Sequence, residues 1–296
     1  AYWATSLTDV QVAGDGGPID CVVSLRFPSY AVRHPNHVVW LNHRMREYYD
    51  LWDDFRSGLN RKARLVEGVR RRALHFLDGR LLHHRAVIAQ SKTIQQRLRR
   101  WGGIDSDVLY PPAPQRDYRC DDYNGAILVV GRLTKLKRVD LLIQAAAAAG
   151  GDWRVRIAGE GPERATLVKL TQELNLEHRV VLLGELNEER LVHEYANCAA
   201  VDFGSRAEDY GLVTLEAFSS AKAVVTCTDS GGPAELVEDG VTGFVSKPEV
   251  DDVAEALERI TQETGLAEKL GAAAAEVAVQ HSWPAAVERL LAACQP

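Results

Sequence analysis

The second half of this chain alternates short apolar runs with helical stretches of about ten residues, and few folds accept that pattern. Strands are expected at 126–131, 153–158, 179–184, 198–203 and 223–227. Helices are expected between them at 138–149, 162–174, 187–196 and 211–220, followed by two longer ones at 250–264 and 266–279. Strands joined through helices pair in parallel by right-handed crossovers. Strands covered on both faces are apolar nearly throughout, as 126–130 and 180–183 are. Open sheets of this kind bind ligands at the carboxyl ends of their strands. Chemistry is therefore expected in the loops after 131, 158, 184, 203 and 228.

The proline cluster Tyr110-Pro111-Pro112-Ala113-Pro114 stops regular structure, because proline lacks a backbone donor and restricts the residue before it. It reads as a connection between domains. The expected division is an N-terminal domain at 1–114, a second domain at 115–279, and a helix at 280–296 returning to the first. Apolar runs at 19–25, 38–41, 86–90 and 107–110 lie before the prolines, separated by helical stretches near 44–57, 60–79 and 91–101. Ser91 reads as a helix N-cap. Gly14-Asp15-Gly16-Gly17-Pro18 reads as a flexible loop. A length of 296 residues accommodates two modest domains.

Charge is uneven. Residues 56–100 hold thirteen Arg or Lys against two acids, Glu67 and Asp78, in a chain whose net charge is −6. An acidic chain is a poor general binder of nucleic acid. The basic window is either a solvated helix face or a surface for an anionic membrane or substrate. No run approaches the roughly 18 apolar residues of a membrane span, and no leader pattern follows Ala1. Five scattered cysteines suggest neither a disulfide framework nor a zinc site, which makes a reducing cytoplasm the expected setting. His83 and His84 are expected on the surface. The acidic pairs Asp53-Asp54, Asp121-Asp122 and Asp251-Asp252 read as surface or turn residues, so no metal site is expected.

Three segments carry chemistry. After the first strand of the second half, Arg132 and Lys137 stand five apart across a turn, where two cations can converge on a phosphate. After the fourth strand, Glu208 and Glu216 stand eight apart around Gly211, with a helix expected to open there. Such a helix start presents unpaired N–H groups to an anion. The third segment, Thr228-Asp229-Ser230-Gly231-Gly232-Pro233, reads as a tight loop before a helix begun by proline. Glu238 to Gly243 reads as a turn. Asp202 interrupts an apolar strand near its end, where solvent contact is expected, and no catalytic role is assigned to it.

Taken in order, these pieces resemble a known family. Gly131-Arg132-Leu133 with Lys137, Ala158-Gly159-Glu160-Gly161-Pro162, Leu182-Leu183-Gly184-Glu185-Leu186, the Glu208–Glu216 pair and Ser230 to Val237 look like the nucleotide-sugar-binding domain of the family-4 glycosyltransferases, over residues 126–246. The resemblance implies an α/β chain with two Rossmann-like domains (GT-B architecture), the N-terminal one incomplete. It implies transfer of a hexose from a nucleotide-diphosphate sugar, such as a UDP or GDP sugar, to an acceptor hydroxyl on a glycan or lipid-linked sugar. Retention of configuration and independence of metals and other cofactors follow from the same resemblance.

By resemblance, Arg132 and Lys137 neutralise the donor diphosphate, and Glu216 binds the ribose. The 184–186 segment, Gly184 and Leu186, meets the base. Glu208 grips the transferred sugar, while the backbone of Gly211, Leu212, Val213 and Thr214 holds the adjacent phosphate. His43 matches a family histidine beside the donor sugar. The opening strand and glycine-rich loop usual in the first domain are not recognisable here. That departure keeps open a second reading, a nucleotide-sugar-binding module without catalysis. A dinucleotide-dependent oxidoreductase is disfavoured because Gly159-Glu160-Gly161 lacks the third glycine of its phosphate-binding turn.

Overall fold

The computed structural model describes residues 2–294 as two compact units, divided at 111/112 and 282/283. The first unit combines the N-terminal part with the terminal helix Trp283–Ala293. The last two positions of the helix expected at 280–296 lie outside the described residues. The two expected domains of α/β type are both present as parallel sheets.

In the first unit, helix α1 (Tyr2–Ser6) precedes strands β1 (Val22–Ser24) and β2 (His37–Leu41). Helices α2 (Trp52–Ser57) and α3 (Arg61–Leu82) lead to β3 (Ala86–Ala89), and α4 (Lys92–Gly102) leads to β4 (Asp107–Val108). The sheet runs β1-β2-β3-β4, all parallel. Every connection steps the same way, so right-handed crossovers put their helices on one face. Val39, Leu41, Val87 and Ala89 indeed pack with Leu82, Ile94 and Leu98 of α3 and α4. The alternate residues Val38, Trp40 and Ile88 point to the other face, where Leu290 and Cys294 cover them. Trp283 meets Trp40 edge-on. Ser91 caps α4 by accepting from the Ile94 N–H at 3.1 Å, and His83 and His84 are exposed.

One expectation fails in this unit. Cys21 and Cys294, 273 residues apart with Cα atoms 5.9 Å from each other, form a disulfide. Spacing along the chain gave no sign of it, and it removes the cysteine argument for a reducing compartment. The expected loop at 14–18 is present, closed by a turn. Ala13 N donates to Gly17 O at 2.8 Å, and Val12 bridges Pro18 antiparallel.

One buried polar cluster anchors the unit. Asp78, on α3, is almost wholly buried. The hydroxyls of Tyr2 and Tyr30 donate to its Oδ1, and that of Tyr49 to its Oδ2 at 2.5 Å. Burial, reinforced by the Asp78 charge, pushes all three hydroxyls well above the usual tyrosine range.

The second unit contains β5 (Ile127–Val130), α5 (Val139–Ala148), β6 (Val155–Ala158), α6 (Arg164–Glu173), β7 (Val180–Gly184), α7 (Glu188–Ala196), β8 (Ala200–Asp202), α8 (Leu212–Ser219), β9 (Ala223–Cys227), α9 (Gly232–Leu236), β10 (Gly243–Ser246), α10 (Val250–Gln262) and α11 (Leu266–Gln280). Its parallel sheet has the order β10-β9-β8-β5-β6-β7. The direction of strand addition reverses at β5, between β6 and β8. That reversal splays the two loops after β5 and β8 apart and marks the usual ligand crevice. Ile127, Val129, Ile157, Val225, Ile143 and Leu257 are central to the core. The sequence reading omitted β10. The 238–243 turn delivers it to the sheet edge, and Gly243 is required there: a Cβ would lie 1.9 Å from Val224 O.

Replacing Asp78 by Ala leaves two buried hydroxyls and one partly buried hydroxyl without their acceptor, at about 1–3 kcal/mol for each unmade buried bond. Asp78→Ala should therefore cost several times what Tyr49→Phe costs, read as loss of amide-exchange protection in β2 and α3. Equal protection in the two variants would show that the carboxylate does not organise this unit.

Candidate active site

The site is built at the carboxyl ends of β5, β6, β8 and β9. Glycines let these ends approach one another. A Cβ on Gly159 would stand 1.9 Å from Gly131 O, and one on Gly161 would stand 2.3 Å from Leu133 O. The loops after β8 and β9 are also joined. Glu208 N donates to Ser230 O at 2.7 Å and Gly232 N to Glu208 O at 3.2 Å. A Cβ on Gly232 would lie 2.4 Å from Tyr210 O. The Ser230-Gly231-Gly232 segment is thus more than punctuation, because it holds the Glu208 loop by main-chain pairing.

Lys137 and Glu208 meet in this crevice, with Nζ 2.5 Å from Oε2 and both side chains 23% exposed. The same ammonium lies 4.6 Å from the centre of the Phe203 ring. Gly211, at φ +83°, begins α8 without a side-chain cap, and a Cβ there would strike Pro233 and Phe203. Leu212, Val213 and Thr214 form the first turn of α8, at the expected place. Glu216 lies one turn further on and is buried. Its Oε1 takes a hydrogen bond and ion pair from Arg116, and its Oε2 accepts from Tyr195 OH at 2.7 Å. Arg116 also lies 3.2 Å from Glu188 and donates to Tyr118 OH at 3.2 Å. Burial and then the Glu216 charge push the Tyr195 hydroxyl well up.

The other sequence candidates are more dispersed. Arg132 is exposed on the β5 loop. Among the ion pairs of the described residues, it joins neither glutamate. Gly184 ends β7 at φ +73° and accepts from Gly159 N at 2.8 Å through its carbonyl. Leu186 follows, half-buried, just before Asn187 caps α7. His43 belongs to the first unit, where its Nδ1 lies 2.9 Å from Arg44 O. Among the described residues there is no group of three or more His, Cys, Asp or Glu placed to hold a metal.

Sequence reasoning missed Arg116, Tyr195 and Arg138. Arg116 and Tyr195 lie 100 and 21 residues from Glu216, with no local pattern to link them. Arg138, in a left-handed conformation at φ +49°, makes two bonds to Asp229, at 2.7 and 2.5 Å. This clamp ties the β5 loop to the β9 loop. The Arg138 guanidinium holds the Asp229 carboxyl below the usual range, and Asp229 in turn raises Arg138. Asp229 lies in a quoted segment and Arg138 directly follows Lys137, but their pairing across 91 positions was not legible.

These features define the class: a GT-B-like α/β protein with a charged crevice at the strand ends of its second unit. Sucrose-phosphate synthase from Thermosynechococcus elongatus superposes with a TM-score of 0.75 at 20% identity, over 93% of this chain and 74% of that one. Anabaena Alr3699/HepE, solved in complex with UDP and glucose, gives 0.70 at 22% identity, over 89% and 72%.

Residues 116–277 match the sequence model of the family described as "Glycosyl transferases group 1", and the chain belongs to that family. D-inositol 3-phosphate glycosyltransferase of Mycolicibacterium smegmatis is 35% identical over 200 residues, 64% of this chain and 45% of that protein. Alpha-D-kanosaminyltransferase of Streptomyces kanamyceticus is 34% identical over 192 residues, 63% and 49% of the two chains. The chain spans about half the length of the curated relatives it matches.

Asp202 departs from expectation. It does not meet solvent at the end of β8 but is 5% exposed. Burial pushes its carboxyl up to about 7, only partly opposed by the Gly204 N–H. An unfolded aspartate titrates near 4, so between about pH 4 and 7 the folded chain binds more protons. Stability therefore falls as pH rises through that window. Asp202→Asn should melt at a higher temperature than the parent at pH 7.5, with the gap closing by pH 4.5. A gap independent of pH would mean that this carboxyl does not titrate in the fold.

Proposed function

We propose that this chain transfers a hexose from a nucleotide-diphosphate sugar to an acceptor hydroxyl, without a metal and with retention of configuration. The observation that carries the reading is the Lys137–Glu208 pair beside the uncapped start of α8, with Glu216 held one turn deeper. Family membership and the UDP named in the HepE complex support it.

Transfer breaks the bond between the anomeric carbon and the diphosphate oxygen. Negative charge grows on the leaving group and positive charge on the sugar. Lys137 and the first amides of α8 would stabilise the leaving diphosphate by preorganised electrostatics, with Arg132 reaching in from the exposed side of the same loop. Glu208 would release Lys137 to the phosphate and hold a sugar hydroxyl, as a positioning group rather than a nucleophile. Glu216, oriented by Arg116 and Tyr195, would accept from the ribose hydroxyls. Gly184 and Leu186 would meet the base through the backbone.

The acceptor is a glycan or a lipid-linked sugar in this reading, and α3 offers a surface for an anionic membrane. It exposes Leu65, Val66, Val69 and Phe76 in the most basic part of the chain. An apolar stripe flanked by arginines suits the interface between headgroups and acyl chains. Among the described residues no helix is long and apolar enough to cross a membrane.

UDP should bind saturably in EDTA, and Lys137→Ala should lower kcat/KM about a hundredfold, the usual cost of losing one preorganised charge. Failure of every nucleoside diphosphate to bind in EDTA would end the metal-free reading. Co-sedimentation with phosphatidylglycerol vesicles should be lost at high salt and reduced in Phe76→Ser. Binding insensitive to both would make α3 merely a solvated face.

A further inference from the structure

A second cavity lies in the same unit, at the opposite edge of the sheet. It is about 680 Å³ and is formed around the residues that precede β5, β6 and β7. Because all six strands run parallel, their amino ends gather on the edge away from the Lys137–Glu208 crevice. A volume of this size suits a small organic ligand.

The lining is rich in donors. Arg154, Arg156, Arg179, His178 and His193 face two acids, Asp152 and Glu194. Glu194 is consumed by Arg156, at 2.5 Å. Asp152 is 89% exposed in its side chain and stands 3.7 Å from Arg179, which neutralises little. Arg154 is exposed.

Two donors in the wall are unpaired although buried. Arg179 is 9% exposed, and its Nε donates to Trp153 O at 3.0 Å while its Nη2 finds no acceptor. Trp153 is 6% exposed, and its indole N–H also finds none. The guanidinium lies 5.5 Å from the indole ring centre, so the two groups are neighbours. Gly151 packs close against the indole and against Gln262. A Cβ at that position would lie 2.6 Å from Gln262 Nε2 and 3.2 Å from Trp153 Cδ1. Buried donors without acceptors are costly, and an oxyanion satisfies both, since a guanidinium accommodates two oxygens of one phosphate or carboxylate.

We propose that this cavity binds a small oxyanion-bearing ligand, a phosphate ester or a carboxylate, through Arg179 and the Trp153 indole N–H, with Arg154 at the rim. The site is separate from the donor crevice and does not depend on the reading of that crevice.

The test is calorimetric titration of the full chain with inorganic phosphate, sn-glycerol 3-phosphate and succinate in turn. Trp153→Phe deletes one donor while keeping an aromatic ring, and Arg154→Gln deletes an exposed charge, so both should fold. At least one probe should bind saturably, and each substitution should weaken it by roughly tenfold, with Arg154→Gln leaving the melting temperature of the free protein unchanged. Which probes bind separates phosphate from carboxylate recognition. Lys137→Ala should leave the binding intact. No saturable binding by any probe would overturn the proposal. So would binding that survives Trp153→Phe and Arg154→Gln but vanishes in Lys137→Ala, because the anion would then occupy the donor crevice.

Discussion

Everything in the second unit depends on parallel pairing about β5. Parallel strands deliver all their carboxyl ends to one edge, so residues from 131 to 232 can line a single crevice. Close main-chain contact then sets the geometry. Gly159 against Gly131 and Gly232 against Tyr210 leave no room for a Cβ. A loop edge built this way is rigid without a large apolar contribution, because steric exclusion limits the alternatives. The Arg138–Asp229 clamp and the Glu208–Ser230 pairing use the same closeness to fasten the loops after β5, β8 and β9.

The two glutamates of the site are held in different electrostatic regimes. The Lys137–Glu208 pair keeps contact with water, so solvent screening limits its worth to a fraction of the bare Coulomb attraction. Such a pair exchanges partners readily, as the role proposed for Lys137 toward a phosphate requires. Glu216 is different. Its side chain is 8% exposed, and a carboxylate buried to that degree without partners would be expensive. Arg116 and Tyr195 cover that cost and fix the carboxylate in place. One carboxylate is therefore adaptable and the other is preset, although both are the same residue type on neighbouring segments.

The first unit solves a problem that its topology creates. A sheet whose strands are added in sequence order receives all its crossover helices on one face. Val38, Trp40 and Ile88 would then face water. The terminal helix supplies the missing layer, and the Cys21–Cys294 bridge joins its end to the segment before β1. On the other face, beneath α3, Asp78 is tolerated only because three tyrosine hydroxyls donate to it.

Local pattern determined much of this protein. Apolar patterning located strands β5 to β9, the apolar runs that hold β1 to β4, and most helices; Ser91 announced its cap, and the spacing of Glu208, Gly211 and Glu216 placed a loop and a helix start at a strand end, because those signals lie within a few residues of one another. The sequence reading omitted β10, since an edge strand following Gly243 looks like the continuation of a turn. Tertiary structure alone decided which groups meet. Arg116 reaches Glu216, Arg138 reaches Asp229, and Cys21 finds Cys294 only after the chain has closed. It also decided that Asp202 is sealed from water and that Lys137, rather than Arg132, reaches a carboxylate. Periodicity is written in neighbouring residues and survives without the fold, whereas partners separated by tens to hundreds of positions are chosen by packing, which has no local signature.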